Sequence, residues 1–357
     1  MLLGMLMGST TTIVSQAPSF PPVSPSQFLT IVQDDLWHTD RQSLLTALDR
    51  SLQFINSPSA VGRFPVSNIS HARVKASLVR FRELLTQAKT AGEFHQALSR
   101  EFILYQVPQK VLFTGYYEPV FRASRRPTAV YRFPLYRLPP DFKSWRSPHP
   151  TRAELENSSR LKGLELVWLA DAFEAFLVHV QGSARLDLGN GQTMTVGYGG
   201  KTDQPYSSVG RELVKDGKMR LEDVTLQSLQ AYFRQHPQDL IPYLQRNRSF
   251  VFFRETHGAP AVGSLGVPVT AERSIATDRA LMPHGAIALI KTELPFPDGK
   301  GGYQKRPVTR FVLDQDTGGA IKGLGRVDIF MGTGQIAQER AGLIANQGEL
   351  FYLLLRE

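Results

Sequence analysis

The sequence predicts a mainly β chain with helices at its N-terminus, in which one small barrel is interrupted by an inserted second β-domain. Three observations lead there. Apolar residues recur at helical spacing through residues 26–105. From Val107 onward the chain runs in short β-branched and aromatic stretches punctuated by glycine and proline. Its length, 357 residues, suits two domains or one domain with a large insertion.

Composition sets the class. Hydrophobic residues make up 42% and charged residues 20%, enough to bury an ordinary core. The net charge of +9 favours an anionic partner or surface. Basic residues are scattered, with short clusters such as Arg122-Ala-Ser-Arg125-Arg126, so no nucleic-acid partner is expected. The absence of cysteine removes disulfides, thiolate metal sites and a Cys-linked lipid from the sequence as given. No run approaches the length of a membrane span.

Residues 1–15 are apolar and resemble the central part of an export signal, without its basic start or a small-residue cleavage site. Residues 1–25 are therefore expected to be a signal or a disordered linker, the prolines Pro18, Pro21, Pro22 and Pro25 keeping the second half extended. In the helical part, Leu44, Leu45, Leu48, Leu52 and Ile55 fall on one face, Val74–Leu85 repeats the pattern, and Thr90 starts a further helix. His71 and His95 sit in this helical context and are read as packing groups rather than ligands.

Val111–Phe121 is strand-like, and a period of two puts Thr114 and Tyr116 on one face with Gly115 leaving room beside them. Hydroxyl and aromatic groups on one face suit a sugar ring, although a strand stacking Tyr in a core has the same pattern. Strands are expected at Phe133–Tyr136 and Leu164–Leu169, a short helix at Asp171–His179, and a hairpin around Gly189-Asn-Gly. Gly200-Lys201-Thr202 matches the end of a phosphate-loop motif, but Thr195 stands where its first glycine belongs, so that motif fails. Helices are expected near Leu221–His236 and Gln238–Arg246, strands at Ser249–Glu255 and Leu350–Leu355, and a turn leading into a strand over Ala280–Ile290.

Arg310–Gly334 reads as strand, Gly-rich turn, second strand and another Gly-rich turn. It brings Asp316 and Asp328 beside glycines and apolar residues, a setting in which desolvation raises a carboxyl pKa, as acid catalysis at neutral pH requires. Asp in such turns also commonly bonds its own backbone. An aspartic protease needs two facing Asp-Thr-Gly turns, and this chain has one. Asp314, Asp316 and Asp328 offer oxygens without the spacing of a calcium loop, so no metal or other cofactor is expected. Cleavage of a sugar polymer needs one acid in a partly apolar groove plus hydroxyl and aromatic groups, which Asp328 and the Thr114/Tyr116 face supply. A non-catalytic wall-polysaccharide binder needs the aromatics alone.

Phe113–Pro119, Tyr198–Tyr206, Asn247–Phe253, Gly263–Thr270 and Asp316–Phe330 together resemble the membrane-bound lytic murein transglycosylase A family, the last of them its C-terminal "3D" segment. The likeness runs from about residue 110 to the C-terminus in the family's order; the N-terminal helices match in general character alone. It implies a double-psi β-barrel made of residues 26–119 and 254–357, with residues 120–253 as an inserted β-domain forming the other wall of a glycan groove. It implies cleavage of the β-1,4 bond between N-acetylmuramic acid and N-acetylglucosamine without water, leaving 1,6-anhydromuramoyl ends. Asp328 would be the acid and then the base, with Asp316 in an orienting or pKa-setting role. Thr114, Tyr116, Gln204, Tyr206 and Lys322 are carried over as candidate glycan-binding residues. Peptidoglycan strands are the expected partner, and the periplasm or cell envelope the expected place, with peripheral rather than Cys-lipid attachment.

Overall fold

The helical spacing at the N-terminus does form helices. In the computed structural model, which describes residues 19–357, α1 spans Pro25–Ile31, α2 Arg41–Ile55, α3 Pro58–Val61, α4 His71–Gln87 and α5 Ala91–Glu101. The side chains of Asp40, Ser70 and Thr90 cap α2, α4 and α5 by accepting from the backbone N–H groups of Ser43, Arg73 and Glu93. On α2, Leu44, Leu48, Phe54 and Ile55 are buried, while Leu45 and Leu52 are partly buried against the same core. The expected signal at residues 1–15 lies outside the described residues.

The expectation of a free linker is corrected over residues 19–25. Phe20 is buried and stacks on Tyr352 at 5.8 Å. Val23 N–H donates to Leu104 O and Gln106 N–H to Pro21 O, so this stretch is extended but docked.

The strands then follow in chain order. β1 is Phe102–Gln106 and β2 Val111–Glu118. Between β2 and the next barrel strand come β3 Val120–Ser124, β4 Phe133–Tyr136, α6 Arg152–Glu156, β5 Glu165–Leu169, α7 Ala172–Gln181, β6 Ala184–Gly189, β7 Gln192–Lys201, α8 Val209–Lys215, α9 Leu226–Gln235, α10 Leu240–Arg246 and β8 Val251–Glu255. The chain ends with β9 Ser274–Ala276, β10 Ile287–Pro297, β11 Tyr303–Asp316, β12 Arg326–Thr333, α11 Gln335–Gly342 and β13 Ala345–Leu355.

One sheet runs in the order β1-β13-β10-β11-β9-β12-β2, and β13 also pairs with β2. That second pairing closes β13, β10, β11, β9, β12 and β2 into a six-stranded barrel, leaving β1 as an appendix on β13. The pairs β11–β9 and β12–β2 are parallel and the remaining ring pairs antiparallel. Closure is what lets β11 carry the unbroken buried run Phe311–Gln315, because one face looks into the barrel and α2 covers the other. The Gln315 amide donates to Ala47 O and Ser51 Oγ of α2.

Two arginines with fully buried side chains tie the helical layer to the barrel. Arg273 Nη1 donates to Asp34 Oδ2 at 2.6 Å and to Phe311 O at 2.8 Å. Arg310 pairs with Asp35 at 2.6 Å and also with Glu272.

The second sheet, β4-β5-β3-β6-β7-β8, lies wholly within the segment between β2 and β9 and has its own core around Phe173, Phe176, Phe233 and Phe253. One local reading shifts here and two elements are unexpected. The helix expected from Leu221 begins at Leu226, because Thr225 caps it and Leu221–Asp223 forms a single 3-10 turn. Two short helices, α6 and α8, carry too few periodic residues to stand out in the sequence. The two sheets meet at Glu118, whose buried carboxylate accepts from Arg185 Nε at 2.9 Å and Thr333 Oγ1 at 2.7 Å.

Candidate active site

β12 alternates as a half-buried strand should. Val327 and Ile329 point into the barrel core with no exposure, while Asp328 and Phe330 take the other face. β12 lies between β2 and β9, and the residues directly beside Asp328 are Thr114 and Ala276. The Asp328 side chain is 18% exposed, yet Oδ1 is buried without a hydrogen bond. Arg326 Nε lies 3.5 Å from Oδ1, an ion pair without hydrogen-bond alignment. Burial pushes the Asp328 carboxyl up to about 6; Arg326 opposes that rise and the charge of Asp316 adds to it.

Asp316 ends β11, the neighbour of β9 on its other side, and is also in register with Ala276. The two carboxylates thus stand two strands apart across one alanine. Asp316 is fully engaged: Oδ1 accepts from the N–H groups of Ser264 and Thr317, each at 2.8 Å, and Oδ2 accepts from Tyr116 OH at 2.9 Å. Burial raises its pKa and these donors pull it back. Deeper in, Asp314 has no exposure and accepts from Tyr352 OH at 2.6 Å and Thr277 Oγ1 at 2.8 Å. Burial pushes its carboxyl up to about 7.

Thr114 and Tyr116 do share a face. Tyr116 packs its ring on Phe330 at 5.2 Å and spends its hydroxyl on Asp316; the Thr114 hydroxyl lies 3.5 Å from Val327 O. The reading of Gly115 changes. A Cβ there would sit 2.7 Å from Ala341 Cα, so the missing side chain makes room for α11 behind the strand rather than for a ligand in front of it.

From the insert, Tyr206 comes over the turn that follows Asp316. A Cβ on Gly319 would sit 3.4 Å from Tyr206 Cβ and 3.7 Å from Lys201 Nζ. Burial raises the Tyr206 phenol pKa and the Asp328 carboxylate raises it further, which places the phenol within electrostatic reach of that acid. Lys322 is exposed on the same turn. Gln204 is placed differently: it is buried, its amide donates to His149 O, and it lines a separate cavity of about 510 Å³ in the insert with Arg160 and Arg248.

The structure therefore sets Asp328, Asp316, Thr114 and Tyr116 on neighbouring strands of the barrel, brings Tyr206 of the insert and Lys322 to the turn that follows Asp316, and leaves Gln204 in the insert. The sequence reading did not single out Arg326, Phe330, Tyr352 or Ser264 as parts of the site. Arg326 had a signal, since strand spacing puts residues i and i+2 on one face. Ser264 acts through its backbone N–H, which no side-chain pattern marks. Among the described residues no cluster of three or more His, Asp or Glu could hold a metal ion, and no helix is long and apolar enough to cross a membrane.

Two family descriptions match this chain: "MltA specific insert domain" over residues 112–254 and "3D domain" over residues 273–354. Membrane-bound lytic murein transglycosylase A of Escherichia coli K12 is 33% identical over 245 residues, 68% of this chain. The match spans 65% of that relative's length, just under two thirds. Among solved structures, a membrane-bound lytic murein transglycosylase from Agrobacterium tumefaciens superposes with a TM-score of 0.77 at 27% identity, covering 95% of this chain and 98% of that one. E. coli MltA with bound chitohexaose superposes at 0.73 and 25% identity, covering 96% of each chain.

Proposed function

The chain belongs to the membrane-bound lytic murein transglycosylase A family, and from that membership we propose that it cuts peptidoglycan glycan strands between N-acetylmuramic acid and N-acetylglucosamine, leaving 1,6-anhydromuramoyl ends. The observation that carries the reading is the state of Asp328. Of the three aspartates, it alone accepts no hydrogen bond from a neighbouring donor, and burial pushes its carboxyl up to about 6. Such an acid is partly protonated at neutral pH: at pH 7 on the order of a tenth of molecules carry the proton.

Protonated Asp328 gives its proton to the glycosidic oxygen as the bond from that oxygen to C1 of the muramoyl residue breaks. The carboxylate left behind is steadied by Arg326. It then takes the proton from the C6 hydroxyl of the same muramoyl residue as O6 bonds to C1, which regenerates the acid and consumes no water. Internal attack supplies the proximity that a free nucleophile would need an entropic cost to reach. Asp316 lies close enough to raise the Asp328 pKa and far enough to stay bonded to Ser264, Thr317 and Tyr116. That engagement disfavours the competing reading, a two-carboxylate hydrolase, since its second carboxylate must be free to activate water.

Thr114, Tyr116 and Tyr206 would line the sugar path, and the chitohexaose held by the E. coli relative supports a polymer of β-linked sugars as the occupant. The relatives' designation as membrane-bound supports action at the envelope, where that polymer lies. Incubation of the chain with purified sacculi tests the proposal. The expected result is soluble muropeptides lighter by one water than their hydrolytic counterparts, abolished by Asp328→Asn with the fold retained. Reducing ends would make it a hydrolase, and binding without release would make it a wall-binding module.

A further inference from the structure

Three cations on three separate segments converge beside the turn that follows Asp316. Lys201 ends β7, and its Nζ comes to 3.7 Å of where a Cβ on Gly319 would lie. Lys322 is three residues further along that turn. Arg279 joins it through the neighbouring residue: Asp278 Oδ2 accepts from Gly323 N–H at 2.9 Å, clipping the 278–282 loop to the Lys322 turn.

Among the described residues no ion pair neutralises them. The ion pairs on this side of the molecule use Arg273, Arg310, Arg326 and Arg340; among the described residues Lys201, Arg279 and Lys322 take part in none. The acid closest in sequence, Asp278, is buried and accepts from backbone N–H groups of Ala280 and Gly323. Burial lowers the Lys201 pKa, and the like charges of Lys322 and Arg279 lower it further. Keeping three mutually repelling cations together costs free energy with no internal return, the arrangement expected where an external anion supplies the counter-charge. Tyr198, on β7 three residues before Lys201 and within electrostatic reach of Arg279, is half-exposed and gives this patch an aromatic face.

The patch adjoins the catalytic aspartate's surroundings. A Cβ on Gly319 would lie near both Lys201 Nζ and Tyr206 Cβ, and Tyr206 feels the charge of Asp328. A glycan lying over Asp328 would carry its muramoyl substituents past this turn. We propose that Lys201, Arg279 and Lys322 bind the carboxylates of the acidic peptide stem on the muramoyl residue, making stem-bearing strands the preferred substrate. This deepens the proposed function and rests on its choice of polymer.

The test measures binding in an Asp328→Asn background, so that no strand is consumed, using glycan strands with their stems and strands stripped of stems by an amidase. The ratio of the two Kd values is the readout. The parent should hold stem-bearing strands at least tenfold more tightly, since a charge-assisted contact is worth on the order of tenfold, and raised salt should shrink the preference. Lys201→Gln/Arg279→Gln should bring the ratio close to one, while the charge-keeping Lys201→Arg/Arg279→Lys should retain most of it. A parent without preference, or a neutralised variant that keeps it, overturns the proposal. Release of muropeptides by the unmodified chain is scored separately. Loss of release with the ratio intact would remove the cleavage reading and leave the cluster standing.

Discussion

Replacing Arg326 with Gln removes the cation that, among the described residues, is ion-paired with Asp328. Its Nε is 3.5 Å from Oδ1, a distance at which Coulomb attraction is about 1.2 kcal/mol in water and about 5 kcal/mol at an effective dielectric of about 20. The two side chains are 28% and 18% exposed, and the pair lacks hydrogen-bond alignment, so the lower half of that range applies. Losing about 1.4–2.8 kcal/mol of carboxylate stabilisation raises the carboxyl from about 6 to between about 7 and 8. Because the reaction begins with protonated Asp328, wild-type activity should fall about tenfold per pH unit above pH 6, and in Arg326→Gln that fall should start one to two pH units higher. The plateau should also drop, since the carboxylate formed halfway through the cycle has lost its counter-charge. Initial rates of muropeptide release from pH 5 to pH 9 read both effects, with Arg326→Lys as the charge-keeping control. An alkaline limb that stays in place, or moves toward acid, would refute the pairing of Asp328 with Arg326 as the control of its proton.

Other outcomes follow from the same geometry. Tyr116→Phe removes the hydroxyl that donates to Asp316; losing a hydrogen bond to a charged group should cost about 1.5–3 kcal/mol in urea unfolding and lower kcat/KM by loosening Asp316 beside Asp328. Gly115→Val drives a side chain into the backbone of Ala341, and overpacking of this kind should cost at least about 1–3 kcal/mol in urea unfolding. Asp34→Ala leaves the fully buried Arg273 guanidinium without its carboxylate and should cost about 3–5 kcal/mol, measured the same way. Asp314 holds its proton more tightly folded than unfolded, so its contribution is intact below about pH 4 and is lost as pH rises through about 7. Asp314→Asn should therefore gain on wild type by up to about 4 kcal/mol between those limits, and a stability difference that does not vary with pH would count against a buried neutral Asp314.

What the sequence makes legible here is whatever a short window encodes. The period of α2 and the caps at Asp40, Ser70 and Thr90 are local, and so is the alternation of β12 that sets Asp328 apart from Val327 and Ile329. The barrel and its insertion could be anticipated because the flanking segments are strand-dominated. The remainder depends on contacts across long separations. Asp34 meets Arg273 and Tyr116 meets Asp316 only once the ring has closed, and no residue type announces either pair. Gly115 shows how one residue fits two explanations: clearance for a ligand and clearance for a helix look alike in sequence, and only the position of Ala341 separates them. Of the cationic patch, Lys322 was singled out through the family resemblance, while its partnership with Lys201 and Arg279 lay unnoticed because those two are 78 positions apart in the numbering.

The close approach of Gly115 to α11 also bears on how the reactive strand keeps its alignment. Along β2, Thr114 and Tyr116 share one face and Gly115 looks toward the helix. In parallel register, Asp328 stands beside Thr114. A slip of β2 by one residue would turn the Tyr116 ring against Ala341, where not even a methyl group fits. The helix thus works as a ratchet pawl on the strand: misaligned pairings are excluded by collision, and a chain that closes its barrel at all closes it with Thr114 beside the acid and Tyr116 on the same face. An insertion or deletion of one residue within Val111–Glu118 should then cost folding and activity together, with no state in which the barrel is intact and Thr114 and Tyr116 have turned away from Asp328.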